Sequence, residues 1–248
     1  MTLRISWLFA GLLALPLPLL AACTDPPGPG VNWSGCDLSG RDLRGADLRM
    51  ASLVRADLSG ADLSRARLDD ADLGDARLTG AKLIRAKADR ARFVGADLTG
   101  ADLSRARLRQ SIWDRAVLRD ANFAGARLDG AHFYDTEFAG AILSGASLKG
   151  ASLEQADLSG ARLDRADLTQ AKLPGAILEG ADLRHAVLVK ADLTGADLAD
   201  ADLTGADLSF ALLADADLTG ATLEGARLSN TIWPDRRRCR RDAVTRCR

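Results

Sequence analysis

The chain has 248 residues, 47% of them apolar, which is enough to bury a sizeable core. Only 4% are aromatic and one is a tyrosine, so the core must consist of many similar aliphatic contacts, as is typical of a repeat protein. The charge is nearly balanced at −1, with only two histidines and neither a glycine-rich phosphate loop nor a nucleophile motif, which argues against an enzyme. We therefore expect no catalytic residue, no cofactor and no metal site.

The first 22 residues have the pattern of a signal peptide. They carry one charge, Arg4, followed by an apolar run from Ile5 to Leu20. The alternative is an uncleaved membrane helix. The run is short of the ~20 residues that span a bilayer and contains two prolines, so residues 1–22 favour a cleaved leader.

The junction at residues 20–23, Leu-Ala-Ala-Cys, resembles the lipobox of bacterial lipoproteins. This resemblance implies lipidation of Cys23; the alternative is ordinary cleavage that leaves a free thiol. Thr24 follows, not the aspartate associated with inner-membrane retention, which favours the outer membrane. Residues 23–30 are then a lipidated cysteine with a Pro/Gly tether. The expected location is the periplasmic side of the bacterial envelope.

From residue 31 to 235 the sequence repeats every five residues, with alanine first and leucine third. The third positions run from Trp33 to Trp233, which makes 41 repeats without a phase slip. An α-helix would scatter such leucines over every face, because five steps of ~100° turn each one by ~140°. Residues two apart on a short extended segment face the same way, so each pentapeptide predicts one side of a coil.

A slower period indicates how many sides make a coil. Glycine occurs at every twentieth residue from Gly40 to Gly220, except at the two places that Asp120 and Asp200 occupy. Glycine or aspartate at a corner is typical of a positive φ, as in a type II turn. Four sides per coil would place residues twenty apart in register.

This pattern closely resembles that of the pentapeptide-repeat proteins, and the resemblance covers residues 31–235. It implies an all-β fold, a right-handed quadrilateral β-helix of about ten coils of four pentapeptides, and with ~4.8 Å between stacked strands a rod ~50 Å long. Phe93, Trp113 and Phe133 are twenty apart and are predicted to stack inside one side.

The two ends of the rod break the pattern. Trp33 and Trp233 stand at the same side of the square and are predicted to cap it, with Pro234 ending the ladder. Arg41 occupies an inward alanine position, which predicts a loose or irregular first coil.

Residues 236–248 form an arginine-rich tail with two of the remaining cysteines. Cys239 and Cys247 are close enough along the chain to pair, although free thiols are the alternative. Cys36 lies in the first coil, nearly a rod length away, and is not expected to reach them. The tail is either a solvated segment or a site for anionic lipid or an acidic partner.

Two surfaces are candidates for binding. Cations twenty residues apart form a stripe that could bind a polyanion, namely Arg65, Arg67, Arg85, Lys87, Arg105, Arg107 and Arg127. Asp69, Asp89 and Asp129 lie beside it, which favours a self-compensated surface. Apolar residues on two adjacent sides form the second candidate, an interface for a partner or a homodimer, namely Val187, Val189, Phe210 and Leu212.

Two functions remain open. The one favoured is a non-enzymatic, lipid-tethered scaffold or binding rod of the envelope, with a protein or envelope polyanion as partner and no nucleic acid. Some pentapeptide-repeat proteins are acidic dimeric rods that resemble DNA and bind topoisomerases. This sequence differs from them in its leader, interleaved arginines and basic tail, so that alternative would require a cytosolic form.

Overall fold

The computed structural model describes residues 23–247, and the predicted signal peptide lies outside them. The chain forms a right-handed quadrilateral β-helix, and residues 23–247 contain no helix. Ten coils of twenty residues run from 31–50 to 211–230, followed by the single side 231–235. We number the sides of the first coil 1 to 4, at residues 31–33, 36–38, 41–43 and 46–48, and every later coil repeats this order. The fold predicted from the period is confirmed.

The strands are single residues, each the second of its pentapeptide. Each pairs in parallel with the residue twenty places later, from Asn32 with Ser52 to Leu212 with Ile232. Two backbone bonds per side join neighbouring coils, as where the N–H of Leu38 donates to the carbonyl of Asp57 at 2.7 Å and that of Asp57 to Cys36 at 2.9 Å. The backbone polar groups of a buried coil are thus satisfied by the coils on either side.

All four corners require a left-handed residue. The N–H of Ala61 donates to the carbonyl of Leu58 at 3.0 Å across a four-residue turn, whose third residue, Gly60, has a φ of 64°. This is the geometry of a type II turn. Every fifth position from Gly35 to Asn230 has a positive φ, glycine or not. The sequence indicated this only for the corner after side 2, so that prediction was too narrow.

The recurrent aspartates stabilise these corners. The Oδ1 of Asp57 accepts the backbone N–H of Ser59 at 2.9 Å, and Asp62 does the same for Ser64. A short acidic side chain is well suited to this bond, because it folds back on its own backbone two residues on. The aspartate pattern is therefore part of the turn, which is why it repeats.

The interior is a stack of alanine and leucine with an aromatic segment. The rings of Phe93 and Trp113 are parallel, with centroids 3.9 Å apart, and Phe133 continues the stack at 6.0 Å from Trp113. The predicted aromatic stack is confirmed. Trp113 Nε1 donates to Ser111 Oγ at 2.6 Å, and that hydroxyl donates to the carbonyl of Leu108 at 2.6 Å. Ser111, which stands where most pentapeptides have an inward alanine, thus supplies the acceptor for the indole N–H of Trp113.

The N-terminal end is regular, contrary to the loose first coil predicted from Arg41. The backbone of Arg41 keeps its coil bonds, and its guanidinium lies over the ring of Trp33, 5.8 Å from the ring centroid. An arginine can do this only in a terminal coil, where its side chain leaves the core into solvent. Trp33 is fully buried as a result. Its Nε1, however, has no acceptor among residues 23–247.

The arginine-rich tail folds back on the last coil. It pairs antiparallel with sides 1 and 4, through Ile232 with Arg238 and Arg227 with Val244. Cys239 and Ala243 point inward and are buried. Leu218 and Leu223 on sides 2 and 3 are only partly buried, because the tail does not cover them. The tail therefore covers only sides 1 and 4 of the last coil.

Candidate functional site

Three arginines on consecutive coils form a column at the corner between sides 3 and 4. Arg65, Arg85 and Arg105 are the fifth residues of their pentapeptides, and all three are exposed. Stacked coils separate equivalent residues by ~4.8 Å, so the three guanidinium groups follow the rod axis at about that interval. We call these three residues the arginine column.

The arginine column has no counter-ion. Among residues 23–247, none of its members forms an ion pair or a side-chain hydrogen bond. This differs from the self-compensated stripe predicted from the sequence. The register alone could not reveal it, because an arginine reaches several neighbours and its choice depends on the side-chain conformation.

Among the cations of the predicted stripe, those that form ion pairs within the described residues lie in the neighbouring row on side 4. Arg107 lies 2.9 Å from Asp89 and 3.4 Å from Asp69, and Arg67 lies 3.7 Å from Asp47. Lys87 and Arg127 belong to the same row and make no ion pair within the described residues. Asp129 instead accepts the hydroxyl of Ser147. Side 4 is thus partly neutral, beside an uncompensated corner.

The arginine column lines a groove of about 1020 Å³ that runs along the corner over five coils. Its floor has small or half-buried residues, namely Ser64, Ile84, Ser104 and Ala124. Arg44 and Asp42 close one end and pair with each other, with Arg44 Nη2 2.6 Å from Asp42 Oδ2. The groove is elongated and shallow, so it suits an extended ligand more than a compact one.

The arginine column occupies unfavourable backbone positions. Its φ angles are 61°, 56° and 57°, in the left-handed region that costs a residue with a Cβ atom about 1–2 kcal/mol. The same corner has glycine in other coils, at Gly125 and Gly145. Because every corner of the rod takes a positive φ, this conformation does not by itself distinguish the column; three arginines on adjacent coils without an ion pair among residues 23–247 do.

Asp89 is the most buried acid beside this region, with 5% of its surface exposed. Burial raises its pKa, but the hydrogen bonds from Arg109 and the charge of Arg107 outweigh burial, so the pKa lies below its usual value. Asp89 accepts from Arg109 Nη2 at 2.6 Å. It is therefore an ionised anchor for two arginines and not a proton-transfer group.

The apolar residues predicted as an interface lie on sides 4 and 1 near the C-terminal end. Phe210 and Leu212 are 51% and 41% exposed, and Val187 and Val189 are half-buried. The structure places all four around the corner between these sides, as their register requires. Val244 of the tail, 54% exposed, lies in the row of Val187 on side 4, with Asp207 and Arg227 between them.

The cysteines form two disulfides within residues 23–247, Cys23 with Cys36 and Cys239 with Cys247. The first disulfide and the lipidation predicted at Cys23 are mutually exclusive, because a sulfur bonded to another sulfur cannot also carry a thioether-linked lipid, and lipidation stays a prediction. This disulfide also holds residues 23–30 against the first coil, where the N–H of Gly30 donates to the carbonyl of Arg49 at 2.8 Å. This segment is therefore attached to the rod and is not a free tether.

The described part of the chain contains no cluster of three or more histidine, cysteine or acidic side chains placed to hold a metal ion. Within the same residues, no helix has the length and apolar character needed to cross a membrane. The basic groove and the C-terminal apolar surface are thus the features from which a function can be argued.

The sequence matches the profile of the pentapeptide repeats, in eight copies that together cover residues 30–232. No curated protein matches the chain significantly. The chain is 35% identical to HetL, a pentapeptide repeat protein involved in heterocyst differentiation regulation from the cyanobacterium Nostoc sp. strain PCC 7120, over 84% of this chain and 92% of that one, with a TM-score of 0.40.

Two further solved structures resemble it. A pentapeptide repeat protein from the thylakoid lumen of Arabidopsis thaliana is 37% identical over 40% of this chain and 65% of that one, with a TM-score of 0.28. QnrB1, a plasmid-mediated fluoroquinolone resistance protein, is 23% identical over 80% of this chain and 90% of that one, with a TM-score of 0.49. With the repeats matched along nearly the whole rod, the chain belongs to the pentapeptide-repeat family.

Proposed function

We propose that this protein is an exported, non-enzymatic binding rod of the bacterial envelope, and that its ligand is an extended polyanion held along the basic groove. The observation that carries the proposal is the arginine column. Arg65, Arg85 and Arg105 line a groove of about 1020 Å³ and have no counter-ion among residues 23–247. Guanidinium groups bind carboxylates, sulfates and phosphates through paired N–H donors, so a linear polyanion would supply the missing partners.

Export is supported by the leader-like residues 1–22 and by the cysteines. Disulfides persist in the periplasm and outside the cell and are rare in a reducing cytosol. The mass of the mature N-terminus distinguishes the two states of Cys23. A diacylglyceryl adduct would establish the lipid anchor expected from the sequence, whereas the loss of two hydrogens per cysteine pair would establish the disulfide with Cys36.

Binding of fluorescent dextran sulfate, followed by anisotropy, tests the groove. The variant Arg65→Gly/Arg85→Gly/Arg105→Gly removes the arginine column and places glycine where φ is positive. Each exposed ion pair contributes about 0.2–1 kcal/mol, so we expect the affinity to fall about tenfold.

The matched control is Arg55→Gly/Arg90→Gly/Arg115→Gly. These arginines also have positive φ, and their loss changes the net charge equally, but none of them lines the groove. The control should bind like the unchanged protein. An equal loss of affinity in both variants would mean that net charge alone attracts the polymer, and the groove would be rejected.

The alternative of a DNA mimic for a topoisomerase finds less support in the charge pattern. Residues 31–130 contain 18 basic and 15 acidic side chains, and the groove is lined by arginine, so the acidic excess of 17 acidic over 7 basic side chains is confined to residues 131–235. A DNA mimic needs a continuous acidic surface. Unprocessed, full-length protein recovered from the cytosol would nevertheless favour this alternative over the exported rod.

A further inference from the structure

The second feature without an assigned role is the corner between sides 1 and 4 at the C-terminal end. Phe210 stands at this corner, with Leu212 on side 1 and Val244 on side 4. All three are between 41% and 54% exposed. We call them the C-terminal corner. It is an apolar surface that the rest of the described chain leaves open to solvent.

Phe210 is the least expected residue of this surface. Its φ is 62°, in the left-handed region that is an outlier for a bulky side chain. Lys190 and Asn230 occupy the same corner in the coils below and above, so the positive φ is a property of the corner and not of Phe210. What sets Phe210 apart is a large aromatic ring that is half exposed and that the described part of the chain leaves uncovered.

Cations without counter-ions surround the apolar residues. Arg238 continues the row of Leu212 and Ile232, and Arg240 lies beside Asn230 at the corner itself. These two arginines are exposed and make no ion pair within residues 23–247, and the same holds for Arg241 and Arg246. Lys190, one coil below Phe210, is also unpaired among these residues.

Few acidic side chains near the C-terminal corner are available to offset these cations. Arg236 and Arg237 of the tail pair with Asp215 and Asp235, and Arg227 lies 3.8 Å from Asp207. Asp192 accepts the N–H and the hydroxyl of Thr194. Asp242 is the one acid of the tail after Asp235. On sides 4 and 1 at this end, the unpaired cations of the tail and Lys190 therefore outnumber the acids without an ion pair among residues 23–247, Asp192 and Asp242.

The tail holds this arrangement in place. The antiparallel pairs with Arg227 and Ile232, the buried Cys239 and the disulfide between Cys239 and Cys247 fix the tail against the last coil. The arginines are thus set beside the apolar side chains before any ligand arrives. Preorganisation of this kind lowers the entropy lost on binding.

We propose that the C-terminal corner docks on an anionic lipid surface, with Phe210, Leu212 and Val244 in the interface and the unpaired arginines on the headgroups. Apolar side chains bordered by basic residues have the chemistry of peripheral membrane contacts. A second copy of the chain fits less well, because a two-fold contact through this corner would bring the same unpaired arginines together. The proposal is independent of the polyanion groove.

The test is cosedimentation of the unlipidated protein, beginning at Cys23 and with both disulfides formed, with vesicles of phosphatidylcholine with or without phosphatidylglycerol. We expect binding to the anionic vesicles only, and salt should weaken it. Phe210→Gly removes the ring and relaxes the backbone, so it should remain folded and bind about tenfold more weakly. Arg238→Gln/Arg240→Gln should weaken binding to anionic vesicles as well.

Met50→Gly is the matched control. Met50 lies in the same corner column at the opposite end of the rod, is 64% exposed and has a φ of 57°. It should leave vesicle binding unchanged. Equal binding by Phe210→Gly and the unchanged protein, equal binding to neutral vesicles, or a dimer in solution that Phe210→Gly dissociates would each overturn the proposal.

Discussion

At the scale of single residues, the fold depends on what occupies the inward positions of a pentapeptide. The aliphatic positions are interchangeable from coil to coil, whereas the tryptophans need a partner for the indole N–H. Trp113 obtains it from Ser111, two residues earlier, but Trp33 follows Val31 and has no acceptor among residues 23–247. A buried donor without an acceptor costs free energy.

Ser111→Ala should lower the free energy of unfolding by about 1–3 kcal/mol, because it leaves the Trp113 donor unsatisfied. Chemical denaturation measures the change. The same substitution at the half-buried Ser147, where the hydroxyl bonds an acid near the surface, serves as the control and should cost less. Equal losses at both sites would show that the buried bond contributes no special stability.

Val31→Ser should have the opposite effect at the N-terminal end. It places a hydroxyl two residues before Trp33, as Ser111 stands before Trp113, and half-buried Val31 gives up little apolar burial. We expect a gain of about 0.5–1.5 kcal/mol, the net contribution of one hydrogen bond. A lower melting temperature in this variant would contradict the account of the unpaired indole.

The sequence predicted well which side chains are buried, and it predicted poorly which exposed charged side chains form ion pairs. An inward position has one environment in every coil, so alanine or leucine there is decisive. An outward arginine such as Arg85 has neighbours on its own coil and on two others. Its lack of a counter-ion follows from side-chain conformations that no periodicity specifies.

At the scale of the element, the corner is the unit that the sequence repeats. The carbonyl of the third residue accepts the N–H of the next first residue, the fifth residue takes a positive φ, and an aspartate often bonds the fourth N–H. The sequence identified the positive φ at one corner, where glycine is common. The other three corners accept Arg, Asp and Gln at the same φ, so composition there did not reveal the requirement.

Asp89 makes the free energy of unfolding depend on pH. Its pKa lies below the ordinary ~3.9, so its stabilisation is fully present above that value and is lost as the pH falls through the lower folded pKa. Asp89→Asn should lower the free energy of unfolding by about 1–3 kcal/mol at neutral pH.

The difference between Asp89→Asn and the unchanged protein should shrink as the pH falls below about 4, because Asp89 then binds a proton more readily in the unfolded chain than in the folded one and loses its stabilising charge. Asp120→Asn, at an exposed corner, is the control and should show a smaller loss at neutral pH. A difference that stays constant down to acidic pH would contradict the ionised, arginine-paired state of Asp89.

At the scale of the whole molecule, the period of twenty makes coils exchangeable. Removing residues 141–160 deletes one coil and leaves every remaining side paired with an equivalent side. Stability in such a solenoid accumulates through neighbouring units, so this deletion should fold with a somewhat lower melting temperature. It should still bind dextran sulfate, because the groove lies outside the deleted coil.

Removing residues 141–158 is the contrasting deletion. This deletion removes two residues fewer, so the pentapeptide phase is lost and the leucines after it fall at the fifth, corner positions, which need a positive φ. Circular dichroism and thermal melting compare the two proteins. Similar melting of both would show that the register does not hold the rod together.

The ends of the rod were the least predictable part of the molecule. Segments 23–30 and 236–247 occur once and have no period, so the sequence predicted a tether for the first and left the role of the second open. The structure folds both onto the terminal coils, through the Cys23–Cys36 disulfide at one end and antiparallel pairs at the other. The mass of the mature N-terminus decides between this disulfide and the predicted lipidation of Cys23.

The salt dependence of polyanion binding tests the central claim most directly. Each cation that contacts a polyanion releases counter-ions and adds about 0.7–0.9 to the slope of log affinity against log salt. We predict that replacing Arg65, Arg85 and Arg105 by glycine reduces this slope by about two to three, while the Arg55/Arg90/Arg115 control leaves it unchanged. The same slope in all three proteins would contradict a ligand held by the arginine column.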